Sequence, residues 1–371
     1  MKKMLSLAAM FAALSYASPA FAELNLGGDS SVRVRNWGGT GSPTADNVAW
    51  QYRIRLNAAA DLGDGYFFKA MITNEDTKGG GWQTVGYGNT ELYNLQVSQF
   101  YFGHNSKCDS YAIGRLPLNS FNNPVFDLTL YPNQPFDIPV ATINLDRVFG
   151  ANYGVKIGDG DLKATLVVLD NKVAADTQYS GDGLMNDGYA LLASYKFNIG
   201  NVTLDPQVLT ALTKTDVWDQ SLNTIHYGFR PVTVGSNIAF PAGGIKFTAS
   251  GFYTRGSGTT PNNPTVYPVG SGTKVDYFGD LFRLKGEYGP FMAWYDYNQT
   301  TDKSGILGGN HVYTNQFVWA QYKINVHESA KGNFTVQPTF RYLTTKDHNN
   351  LVGSDTKGGR LRSELWATVT F

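Results

Sequence analysis

The chain has 371 residues, 30 basic and 30 acidic side chains, 41 glycines, one cysteine and 14% aromatics. Balanced charge argues against a nucleic-acid partner, which would favour a basic surface. Cys108 is the lone cysteine, so an intramolecular disulfide framework is excluded. Beyond residue 22 no run approaches 18 consecutive apolar residues, so no membrane helix is expected.

Residues 1–22 read as a secretory signal peptide: Lys2 and Lys3, an apolar run over 4–17, and Ala20-Phe21-Ala22 as a small-x-small cleavage site. The remainder, 23–371, is expected to form a single domain. Its loss of Lys2 and Lys3 tips the charge balance slightly acidic.

Period-two alternation marks sixteen strands. The first four are 24–36, 48–61, 66–76 and 91–104. In the second, Trp50, Tyr52, Ile54 and Leu56 alternate with Gln51, Arg53 and Arg55. The next four are 110–116, 147–157, 162–170 and 188–199. Then come 202–216, 225–240 (interrupted by Pro231), 245–255 and 274–287. The last four are 291–299, 312–326, 333–346 and 359–371. Leu365, Ala367, Val369 and Phe371 share one face of the final strand.

Connections after even-numbered strands are tight: 62–65, 105–109, 158–161, 200–201, 241–244, 288–290 and 327–332. Those after odd-numbered strands are longer: 37–47, 77–90, 117–146, 171–187, 217–224, 256–273, 300–311 and 347–358. A secreted β-sandwich would also show alternating strands, but it has no reason to segregate loop lengths. An even number of strands with short turns at one end and long loops at the other predicts an all-β, transmembrane antiparallel barrel.

One connection stands apart. Residues 117–146 hold Pro117, Pro124, Pro132, Pro135 and Pro139, which block strand continuation. They also hold Leu118, Phe121, Val125, Phe126, Leu128, Leu130, Tyr131, Phe136, Ile138, Val140 and Ile143. That much apolar surface needs something to pack against.

At this point the chain resembles the general diffusion porins of Gram-negative bacteria. The residues that carry the likeness are Phe100-Tyr101-Phe102-Gly103 and Tyr111-Ala112-Ile113-Gly114-Arg115, similar to the family's hairpin before its constriction loop. Arg147 is placed like the basic residue that opens the family's sixth strand. The sequence departs from the family at Phe149-Gly150-Ala151, where asparagines are common, and in lacking a Pro-Glu-Phe-Gly-Gly type turn. The resemblance implies that 117–146 folds into the barrel and narrows the pore. It also implies a homotrimer in outer-membrane lipid and lipopolysaccharide, and a terminal Phe371 that belongs to the assembly signal.

Charged side chains on a lipid face are destabilising, so strand phase assigns the lumen. Arg33, Arg35, Arg53 and Arg55 are expected inside, as are Lys69, Lys196, Lys246, Arg283, Lys285, Lys323, Arg341 and Arg362, with Gln51 and Gln337. Arg115 lies in a strand that is apolar on both faces, and the resemblance implies that this wall segment faces neighbouring subunits, which accounts for that. Asp29, Asp205, Asp296 and Glu364 are the acids expected on lumenal strands. The pore lining expected is Arg33, Arg35, Arg53, Arg55, Lys69, Arg115, Arg147, Arg341 and Arg362, with Asp127 and Asp137 opposite on the loop. Opposed charges would set a transverse field in which hydrated solutes orient. The alternative is that each arginine salt-bridges a neighbour and stiffens the wall.

Trp50, Tyr66, Tyr253, Tyr288, Trp294, Tyr297 and Tyr342 are read as interfacial belts. Trp319 and Trp366 fall on the other phase. The five histidines show no metal-ligand spacing, so neither a metal nor another cofactor is expected. The function expected is passive diffusion of ions and small hydrophilic solutes, leaning weakly to anions. A substrate-selective channel for a sugar or organic anion is the alternative. A barrel enzyme would need a positioned nucleophile and base, and none is evident, so no catalytic residue is assigned. A sheath around an electron carrier would need an unplugged barrel.

Overall fold

The computed structural model describes residues 23–40, 47–74, 82–86, 95–117, 147–170, 188–213, 215–219, 224–259, 274–303 and 310–371. Its wall strands are β1 (Glu23–Thr40), β2 (Asn47–Gly63), β3 (Tyr66–Thr73, continued by Gln83–Thr84) and β4 (Gln96–Asn105). There follow β5 (Asp109–Pro117), β6 (Arg147–Ile157), β7 (Gly160–Asp170) and β8 (Gly188–Ile199). Next are β9 (Val202–Ala211, continued by Thr215–Asp219), β10 (Thr224–Ala242), β11 (Ile245–Thr259) and β12 (Lys274–Tyr288). The last are β13 (Phe291–Asp302), β14 (His311–Tyr322, continued by Ile324–Ser329), β15 (Gly332–Asn349) and β16 (Ser354–Thr370).

Each continued strand pairs with a single neighbour along both of its pieces: β3 with β2, β9 with β10 and β14 with β15. The wall is therefore a closed antiparallel barrel of sixteen strands. β16 returns to β1 in continuous register from Asp29↔Thr370 to Thr40↔Gly359. Closure leaves no sheet edge along that seam to pair with another chain.

Three expectations change. The connection 347–358 is no loop: β15 and β16 run on as a hairpin to a turn at 350–353. Cross-strand charges hold it, with Lys346 Nζ at 3.1 Å and His348 Nδ1 at 2.7 Å from Asp355. Polar residues there signal a strand that stands clear of the membrane, not an irregular loop. Pro231 does not interrupt β10, because the ladder passes through it as Pro231↔Gly256. β4 begins at Gln96 and not at residue 91.

Burial along the strands is inverted relative to a soluble protein. One phase is polar and buried, with Ser31 at 1%, Arg283 at 2% and Asp296 at 1% exposure. The other phase is apolar and bare, with Trp50 at 56% and Leu365 at 51%. Inside a closed cylinder side chains crowd each other, whereas outside they stand free. The polar phase therefore faces the lumen. Water around the outer rows would forfeit roughly 1.5–3 kcal/mol for each large apolar side chain, so that surface suits lipid. Tyr66, Tyr288, Phe291 and Tyr322 are exposed beside the tight turns, as an aromatic girdle would be.

The interior has two unlike sides. On β5 to β9 it carries a band of small apolar side chains beside the polar Thr165 and Gln207: Leu116 pairs with Val148, Val167 with both Gly150 and Ala190, and Ala190 with Ala211. Leu116, Val148, Val167, Ala190, Leu209 and Ala211 are all buried. The other side, on β1, β2 and β12 to β16, carries charge and large aromatics.

Candidate pore lining

The register of β15, β16, β1 and β2 builds the charged side row by row. Gln337, Trp366, Arg33 and Gln51 form one row; Thr339, Glu364 and Arg35 form the next; Arg341 and Arg362 the one after. Side chains two residues apart on one strand share a face, so these rows stack into a single patch.

Two acids organise that patch. The Glu364 side chain has no exposure, and it accepts from Arg35 Nε (2.5 Å), Arg341 Nη2 (3.0 Å) and Trp366 Nε1 (2.8 Å). Arg33 Nη1 stands 3.7 Å away. Asp29 accepts from Arg55 Nε at 2.7 Å and faces Arg53 Nη2 at 3.5 Å. Arg33 also donates to Gln51 at 2.7 Å, and Gln51 donates to Thr84 at 2.9 Å. Farther round the wall, Arg283 grips Asp296 through two bonds, of 2.6 and 2.8 Å. Asp205 accepts from Gln207 and Asn237.

Aromatic rings separate the guanidiniums. Arg33 lies 4.2 Å from the Trp82 ring centre and 5.4 Å from that of Trp366. Arg53 lies 4.8 Å from Trp82, and Arg341 3.7 Å from Trp319. Trp319 stacks on Trp294 at 4.6 Å and 11°, and Arg283 sits 5.1 Å from Trp294. Desolvated cation–π contacts are worth up to about 2 kcal/mol, so the rings hold positive charges closer together than bare repulsion would allow. Phe317 and Leu343 pack with Trp294 and Trp319.

The expected lining divides. Arg33, Arg35, Arg53, Arg55, Arg341 and Arg362 come together in this patch. Lys69 is inside but near the tight-turn end, in register with Ala59 and Tyr101. Arg115 is not inside. It pairs with Phe100 and Phe149, two exposed rings, and its guanidinium lies 5.9 Å from Phe149. In a strand apolar on both faces the residue type gave no phase, and register puts this charge on the outer side. Arg147 is also apart from the patch, buried with its Nη1 on Ser98 at 2.5 Å. Asp127 and Asp137, like the segment 1–22, lie outside the described residues.

Two aromatics were misread or missed. Trp294 does not belong to an interfacial belt: it is 5% exposed, in register with Trp319 and on the phase of Asp296. Trp82 carried no alternation signal, because it sits in the Gly-rich stretch 77–90. The short continuation of β3 pairs Thr84 with Gln51 and Gln83 with Tyr52, and this aims Trp82 at the patch.

No protein-family model matches the chain, and no curated protein matches it by sequence. Solved structures do match over nearly the whole length. The outer membrane channel DcaP of Acinetobacter baumannii is 16% identical, with a TM-score of 0.56 over 96% of this chain and 99% of that one. An anion-selective porin from Comamonas acidovorans is 10% identical, with a TM-score of 0.54 over 94% and 100%. OmpT, an outer membrane protein of Vibrio cholerae, is 9% identical, with a TM-score of 0.56 over 96% and 99%. With its closed wall of sixteen strands, apolar outside and polar inside, the chain has the fold of the outer-membrane porins.

Proposed function

We propose that this protein is an outer-membrane channel, not an enzyme, through which ions and small hydrophilic solutes diffuse, with a lean toward anions. The observation that carries the reading is a patch of seven arginines, the six above and Arg360 beside Arg362 and Arg35, set inside a closed barrel around two acids among the described residues, Asp29 and Glu364. Export by a signal peptide over 1–22 fits such a destination.

The segment 117–146 is the natural constriction. It leaves the wall at Pro117, beside the apolar band of β5 to β9. Its apolar side chains need a surface to pack against, and this reading sets Asp127 and Asp137 opposite the arginines. A homotrimer is supported by Arg115. On a lipid face a midplane arginine costs about 2–4 kcal/mol. Against a second subunit, between Phe100 and Phe149, it need not meet lipid at all.

Replacing Arg53 and Arg55 together by alanine tests the channel electrostatics. Asp29 then loses both of its guanidinium partners. Single-channel recording in a potassium chloride gradient should show the chloride-to-potassium permeability ratio falling by several-fold. Unchanged conductance with unchanged selectivity would sink the proposal.

A further inference from the structure

Two cations stand on the outer wall near the long-loop ends of β11 to β13. Arg255 shares its face with Tyr253 and lies across from Val232 on β10 and Phe278 on β12. Lys303, just past β13, donates its backbone N–H to the Asp276 carbonyl (2.7 Å) and sets its Nζ 5.3 Å from the centre of the Phe278 ring. Both are exposed. The opposite phase of these strands, Thr254, Tyr277 and Asp302, is buried, so Arg255 and Lys303 point away from the lumen. Among the described residues, neither cation has a hydrogen-bond or ion-pair partner for its side chain.

Their height on the wall says what they meet. Arg255 is ten residues beyond Ile245, where β11 leaves its tight turn. At about 3.3 Å a residue and a tilt of about 40°, that lifts it roughly 25 Å, the height of a membrane barrel's apolar band. Lys303 is twelve residues beyond Phe291 and stands higher still. Both therefore reach the headgroup layer on the long-loop side, which is the outer leaflet. Below them Phe282, Leu284 and Tyr295 offer an exposed apolar surface to acyl chains. An unpaired cation over lipid is costly. A phosphate supplies the missing counter-charge, matched by the fork of Arg255 and the point charge of Lys303. Asp276 and Asp280 flank Phe278 on β12 and oppose that phosphate. Asp280, exposed and opposite Tyr253, lies one row deeper than Arg255.

We infer that Arg255 and Lys303 form a docking site on the outer wall for the phosphate of an outer-leaflet lipid, with its chains on the apolar strip below. The inference rests on the outer-membrane reading and adds a place for one lipid to it.

The test is native mass spectrometry of the full-length barrel in detergent. The probes are diphosphoryl lipid A and the same lipid stripped of its phosphates. The phosphorylated form should bind at least fivefold more tightly. Arg255→Ala combined with Lys303→Ala should weaken it about tenfold, Arg255→Lys alone should weaken it less, and Asp280→Asn should tighten it. Lys107→Ala, at a tight turn on the opposite end, should change nothing. Equal binding of the two lipids, or undiminished binding by the double variant, overturns the site. So does a double variant that binds lipid normally but loses its oligomer, which would assign the surface to a second copy of the chain. In planar bilayers the double variant should conduct like the unmodified protein. If neither passes current, the channel reading falls while the lipid site stands.

Discussion

Replacing Glu364 by alanine is expected to destabilise the folded barrel by about 3–5 kcal/mol, the range for stripping one partner from a buried ion pair. The carboxylate is fully enclosed and joins Arg35 on β1, Arg341 on β15 and Trp366 on its own strand. It thus sits at the seam where β16 closes on β1. Without it, Arg33, Arg35 and Arg341 face one another inside the lumen with their shared counter-charge gone. Urea titration of the barrel in lipid vesicles measures the loss. A second substitution, Arg341→Met, should recover part of it, because contacting members of one network are not additive. In the comparison variant Asp355→Asn, at the exposed tip of the β15–β16 hairpin, the midpoint should hardly move, since exposed pairs contribute little. A Glu364→Ala barrel as stable as the unmodified one would mean that the arginine patch is not held together as described.

Gly114→Ala is the second large effect. Gly114 lies on β5 with φ +130, a conformation that L side chains rarely adopt. An added Cβ would also collide with the Phe100 carbonyl and come within 2.9 Å of the Tyr101 Cα across the β4–β5 ladder. Both obstacles are backbone and cannot swing away. Strain of about 1–3 kcal/mol and overpacking of a similar size act together, so a loss on the order of 3 kcal/mol or more is expected. The heat-resistant migration of the folded barrel on SDS gels should disappear at lower temperature. Gly251, with negative φ and nothing within 4 Å of its added Cβ, should accept alanine without such a shift. Equal tolerance at the two positions would contradict the register assigned to β4 and β5.

The wall was legible because a membrane barrel obeys two simple periodicities. Alternation reports on each strand separately, and turn length reports on which end it meets. Together they located every wall strand, including the short β5. What failed were positions where residue type and phase conflict. Trp294 shares its phase with Asp296, so alternation itself put it inside; the preference of tryptophan for interfaces pointed the other way, and packing on Trp319 prevails. Arg115 could not be placed by charge, because its flanks are apolar on both faces; only pairing with Phe100 and Phe149 settles its side. Trp82 was invisible because its two-residue strand piece, Gln83–Thr84, is too short for any period to show.

Arg35, Arg53 and Arg55 each meet an acid, as the stiffening reading has it, but they differ in how far they are enclosed. Arg35 is buried against Glu364 and serves the seam. Arg53 and Arg55 are less enclosed, with 15% and 31% side-chain exposure, and meet Asp29 from the lumenal side. Solutes would meet the second pair more than the first, which is why the conductance test targets Arg53 and Arg55 while the stability test targets Glu364.

The most direct test of the central claim is liposome swelling with the purified protein and a graded series of uncharged sugars. A water-filled barrel narrowed by an inward segment should pass monosaccharides quickly, disaccharides slowly and larger oligosaccharides hardly at all. Liposomes that stay impermeable even to the smallest sugar would contradict the channel, whatever the charge of its wall.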